Sequence, residues 1–124
     1  MNTLILDATT KSITAVMSGA AATTNPDFTA AYADSTDTTF TQGANDGVLN
    51  GATAVTIVPS PAASTQRVIN SITIQNRDTA PVTMVLRYVS AGGTRQIWAG
   101  TLAIADTLTL GGFYDSIGRL KIYG

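Results

Sequence analysis

The sequence predicts an all-β protein: an antiparallel β-sandwich, jelly-roll-like or Ig-like, with an extended, short-stranded N-terminal segment. Three observations carry this. Thr is the commonest of the 124 residues, while Glu is absent, so a strand former is abundant and a strong helix former is missing. Apolar residues in the second half recur with period 2 rather than 3.6. Turn residues punctuate the chain about every ten residues, the rhythm of sandwiches and barrels. At 12.8 kDa and 44% apolar residues, the chain has the size of one domain and can bury a real core.

The elements follow in order. Residues 4–6, 12–17, 27–32 and 38–41 each predict a short strand. Residues 18–26 and 42–47, rich in Gly, Asn, Asp and Pro, predict the loops between them. Residues 52–58 predict a better strand, ended by Pro59 and Pro61. In 68–76, Ile72 and Ile74 alternate with polar residues and face the core. Residues 76–81 are a turn cluster in which Pro81 bars a helix. In 82–89, Val82, Met84, Leu86 and Tyr88 share one face, and the other face is partly apolar too. Residues 90–94 form a hairpin loop with Gly92 and Gly93, and 95–99 return. Leu102 and Ile104 lead to a turn at Ala105 and Asp106, and 107–110 alternate cleanly. After Gly111 and Gly112, residues 118–124 place Leu120 and Ile122 on one face. We therefore expect a sandwich core in 52–124. Residues 1–51 would be a segment of short strands that completes the sandwich or reaches out as an arm.

Composition excludes most catalytic chemistry. Without Cys there are no disulfides, thiol nucleophiles or thiolate metal sites. Without His there is no Ser-His-Asp triad and no imidazole acid–base work. Eight Asp are the only side-chain carboxylates, and no motif singles out a pair. Asp34 with Asp37, and Asn45 with Asp46, are oxygen-rich but lack the ligand spacing of a calcium loop, so they read as turns. No catalytic residue, cofactor or metal site is expected, and the protein reads as a non-enzyme. No leader is expected, because residues 1–7 have no basic residue before Asp7 cuts their apolar stretch. No apolar run approaches the roughly 18 residues of a membrane span.

Charge is sparse and uneven. Residues 1–66 hold five Asp and one Lys, whereas 67–124 hold five Arg, one Lys and three Asp. The halves have material to pair within one molecule or between neighbours, although scattered solvated charges are the plainer expectation. The net charge of −1 gives no general pull toward nucleic acid or membrane. Arg87 and Arg95 flank the hairpin near Tyr88 and Trp98. Such a set can stack single-stranded nucleic acid, but core or interface aromatics with Arg at the rim are the simpler reading.

The stretch 67–110 resembles a domain of small virion proteins of tailed bacteriophages. The resemblance lies in Ser71 to Asn76, Asp78 and Thr79, Val82 and Thr83, Arg87, Thr94 and Arg95, Leu102, and Asp106 to Leu108. Pro61 to Arg67, Asn45 to Gly47, and Lys11 to Met17 with Ala31 and Tyr32 are similar as well. The resemblance implies a β-sandwich structural protein of the virion, a head decoration (cement) protein or a tail-associated one. Partners would be further copies, with a trimer as one option, and the major capsid protein or other virion proteins. No nucleic acid and no membrane are expected as partners, and the place would be the virion, foremost the capsid surface. A tail or fibre component is the runner-up. A carbohydrate- or receptor-binding sandwich, with Trp98, Tyr88 and Tyr114 as stacking candidates, is the alternative class. The interface is expected around Trp98, Tyr88, Met84, Leu86, Arg87 and Arg95, because the 82–89 strand is apolar on both faces and Trp suits an anchor.

Overall fold

The structure, a computed structural model, describes residues 4–110. Nine strands and no helix occur among these residues: β1 Leu4–Leu6, β2 Ser12–Met17, β3 Asp27–Ser35, β4 Phe40–Val48, β5 Val55–Val58, β6 Gln66–Gln75, β7 Val82–Ser90, β8 Gly93–Leu102 and β9 Thr107–Leu110. They form two antiparallel sheets that pack together as a β-sandwich. The expected all-β fold class is what the structure shows. The expected strand over 118–124 and the stacking candidate Tyr114 lie outside the described residues.

Sheet A has the order β1-β6-β3-β4, with β9 beside β6 as well. Strand β1 pairs with the 67–69 end of β6, and β9 pairs with its 72–75 end. Sheet B has the order β5-β2-β7-β8. The core between them is made by alternation. Ile13, Ala15 and Met17 of β2 meet Met84 and Leu86 of β7 from one sheet. Phe28, Ala30, Ile72, Ile74 and Leu108 come from the other. Each inward residue is followed by an outward one, as a half-buried strand requires. Fully burying a side chain such as Leu86 or Ile74 contributes about 1.5–3 kcal/mol of transfer free energy.

Of the two options for the first segment, the strand order favours the one in which it completes the sandwich, so the boundary at residue 51 does not divide the fold. Strand β2 lies between β5 and β7, and β3 lies between β4 and β6, so the first half supplies an inner strand to each sheet. Leu6, Ile13, Phe28, Ala30 and Leu49 are all buried. Residues 4–51 thus complete the sandwich whose remaining described strands lie in 52–110. Their apolar runs are short because each inner strand alternates small residues, such as Ala15 and Ala30, with polar ones.

A correction concerns 42–47, expected as a loop. These residues lie inside β4, which pairs with β3 in unbroken register from Asp27↔Val48 to Ser35↔Phe40. Gly43 and Gly47 weaken a strand in isolation. Here Tyr32 stands opposite Gly43 and Phe28 opposite Gly47, and each ring occupies the space a side chain would need. A Cβ on Gly43 would come within 2.8 Å of the Tyr32 ring. Aromatic cover of a cross-strand glycine restores the contact that the glycine lacks.

Candidate interaction surface

Two polar clusters hold the sandwich together. The first is built on Asn76 and Asp78, both buried. The two N–H groups of Asn76 Nδ2 are shared among the carbonyls of Ala80, Leu102 and Ala103, each 3.1 Å away. Asn76 Oδ1 accepts from the Asp78 N–H at 2.9 Å. The Asp78 carboxylate accepts from the backbone N–H of Ala22, Thr23 and Thr79 at 2.8 Å and of Thr24 at 3.2 Å. Burial pushes this carboxyl up, but the backbone donors outweigh it and hold it well below the usual carboxylate range. Three successive N–H groups make a hollow suited to an anion. The chain fills that hollow with its own side chain, so the cluster is a clamp between the 18–26 crossover and the 76–81 turn.

The second cluster centres on Arg67. Its Nε and Nη2 donate to the two oxygens of Asp34 at 2.8 and 3.0 Å, and Nη1 donates to the Pro59 carbonyl at 2.7 Å. The guanidinium also lies 4.0 Å from the centre of the Tyr32 ring. Hydrogen bonding to Arg67 holds the Asp34 carboxyl below its ordinary value. Arg77 pairs with Asp27 at 2.8 Å. Both pairs join an acid of the first half to a base of the second, so part of the charge asymmetry closes within one molecule.

The oxygen-rich clusters have structural roles. Thr36 Oγ1 accepts from the N–H groups of Thr38 and Thr39 at the β3–β4 turn. Asn45 Nδ2 donates to the Ile57 carbonyl of β5. Among the described residues, no three acidic side chains converge as a metal site would require. None of the described residues forms a helix long and apolar enough to cross a membrane.

The six residues expected at an interface do not form one surface. Met84 and Leu86 are completely buried in the subunit's own core, which removes them from any partner's reach. The 82–89 strand faces sheet A with that side, so its apolar alternation is explained by the sandwich itself. Tyr88 and Trp98 are half-buried and pack against the same core. Trp98 stands opposite Leu86, and its ring lies over Gly100, where an added Cβ would approach it to 2.9 Å. Trp98 therefore caps the core at the β8 edge. Arg87 is half-buried and stands opposite Thr14 and Gln96, while exposed Arg95 stands opposite Tyr88. A register shift between Leu86 and Arg87 separates Trp98 from Arg95.

The surface that the sequence reading missed is the outer face of sheet A. Ile5, Val68, Ala33 and Gln42 form one cross-strand row on it, and Ser71, Ala31 and Ala44 another. Asp46 is the charge that β4 brings to it. Three large apolar side chains stand exposed on this face: Ile5 at 43%, Val48 at 54% and Phe40 at 67%. Phe40 and Val48 end β4, the edge strand of the sheet. No family model, no curated protein and no solved structure matches this chain.

Proposed function

We propose that the protein is a non-catalytic assembly subunit. The observation that carries this reading is the outer face of sheet A. It carries Ile5, Phe40 and Val48 exposed, with Asp46 and the Asp27–Arg77 pair as its charges, and is bordered by the nine residues of β4, which among the described residues pair on one side only. Exposed apolar side chains beside an unpaired strand edge are a hazard for a protein that stays alone and an asset for one that is covered in an assembly. The same reading explains how sparse charge is tolerated: a covered surface has little need of it.

The resemblance of 67–110 to tailed-phage virion proteins gives the finer proposal. The subunit is a head decoration protein that stabilises the capsid from outside, with a tail or fibre position as the runner-up. Rigidity suits that role. Asp78 and Arg67 tie distant loops to the sandwich, and the two sheets share inner strands from both halves of the chain. Two of the three stacking candidates of the carbohydrate reading, Tyr88 and Trp98, are half-buried against the core, which supports a structural role for them.

Immunogold labelling with an antibody against the folded chain tests the proposal on phage particles from cells that express it. Labelled heads are expected. Labelled tails would shift the assignment to the runner-up. Particles without label, with the protein left in the soluble fraction, would overturn the virion reading.

A further inference from the structure

Strand β4 has a free side among the described residues. It pairs with β3 on one side only, and its other backbone edge points away from the sheet. Its sequence, Phe40-Thr-Gln-Gly-Ala-Asn-Asp-Gly-Val48, has Asp46 as its single charge to blunt an edge. It has no Pro, no Lys and no bulge, and it runs nine residues in unbroken register. Its exposed apolar groups stand at its two ends, Phe40 and Val48, on one face.

We propose that β4 pairs antiparallel with β4 of a second copy about a two-fold axis through Ala44. This rests on the reading of the chain as an assembly subunit and names its first partner. A two-fold places residue 40 opposite 48, 41 opposite 47, 42 opposite 46, and 44 opposite itself. Phe40 of each copy then covers Val48 of the other, so both exposed ends are buried by one operation. Gln42 meets Asp46, an amide donor against a carboxylate acceptor. Gly43 meets Asn45, and the small Ala44 sits on the axis where two side chains must be closest. No like charges face each other, since Asp46 is the strand's single charge. Any other antiparallel register would leave Phe40 or Val48 without its apolar partner.

The second sheet supports the same side. Strand β5 is an edge of sheet B and lies over β3 and β4, with the Asn45 side chain bonded to its Ile57 carbonyl. Joining two copies at β4 therefore brings the β5 edges near each other too. That adds area to a strand pairing which alone falls short of a standard interface of about 1,600 Å².

The chain has no Cys, so introduced thiols report cleanly. Opposed Cα atoms in antiparallel strands lie about 4.5–5.5 Å apart, within the range a disulfide needs. Ala44→Cys is expected to oxidise to covalent dimer at least about tenfold faster than Thr29→Cys, an exposed control on β3. A mixture of Gln42→Cys and Asp46→Cys is expected to give the mixed dimer faster than either variant alone. Ala44→Lys, with an unchanged circular dichroism spectrum, is expected to sediment as a monomer. Cross-linking of Ala44→Cys no faster than the control, or no preference for the mixed pair, would overturn the proposal. The result is separable from particle labelling. Labelled heads with no β4 cross-link leave the virion reading standing and remove this interface. A specific cross-link without label keeps the interface and removes the virion reading.

Discussion

Asn76 and Asp78 show how one pair of side chains fixes three segments. Replacing Asn76 with Ala leaves the carbonyls of Leu102 and Ala103 without their donor, at a cost of about 2–3 kcal/mol. Urea denaturation should show this as a lower midpoint with an unchanged slope. Asp78 makes stability depend on acid. Its folded value lies below its unfolded one, so its contribution is full above the ordinary carboxylate range and is lost as pH falls through and below it. Asp78→Asn should be less stable than wild type at neutral pH, and the gap should narrow as pH drops toward 3. A constant gap across that range would contradict the role given to the carboxylate. Gly100 offers a second test. Gly100→Val places atoms where the Trp98 ring lies, costing about 1–3 kcal/mol, and the single Trp should report the displacement by fluorescence. In sequence, the Asn76–Pro81 stretch read only as a turn. Its partners at 22–24 and 102–103 are distant along the chain, so nothing local announces the clamp.

At the scale of elements, period 2 was a sound guide where apolar residues are large. Strands β2 and β9 have the limits the pattern predicts, and Ile72 and Ile74 face the core as expected. The pattern failed at β4, because Gly43 and Gly47 look like turn residues until Tyr32 and Phe28 are known to lie across from them. In the first half it found β1, β2 and the start of β3 but left their place in the sheets undecided, because alanines do part of the core's work and leave a faint signal. It also placed an interface on β7, because apolar residues on two faces do not say which face meets the subunit's own second sheet. Hydrogen exchange on the whole chain checks the place of the first half. Amides of β2 and β3 should be as protected as those of β6 and β7, since all four are inner strands. Faster exchange throughout β2 and β3 would restore the arm. Trp98→Ala should cost about 2 kcal/mol of subunit stability and leave association unchanged, because the ring leans on its own core.

The whole molecule has little that titrates near neutrality. His, Cys and Glu are absent, so unfolding free energy should be nearly flat from about pH 5.5 to 8.5 and should fall below about pH 4. A subunit that must hold one shape after assembly is well served by that flatness. What the sequence conveyed at this scale was the fold class. The face proposed to meet a partner was hidden, because Ile5 lies far in sequence from Phe40 and Val48 and shares a surface with them only when β1 and β4 flank β6 and β3. Sedimentation velocity over a hundredfold concentration range tests the central claim, that this face and its β4 edge drive assembly. Wild type should associate with little dependence on salt, since apolar burial is not screened. Phe40→Lys, folded by circular dichroism, should remain monomeric. A wild type that stays monomeric throughout, or a Phe40→Lys variant that associates as well as wild type, would contradict the account.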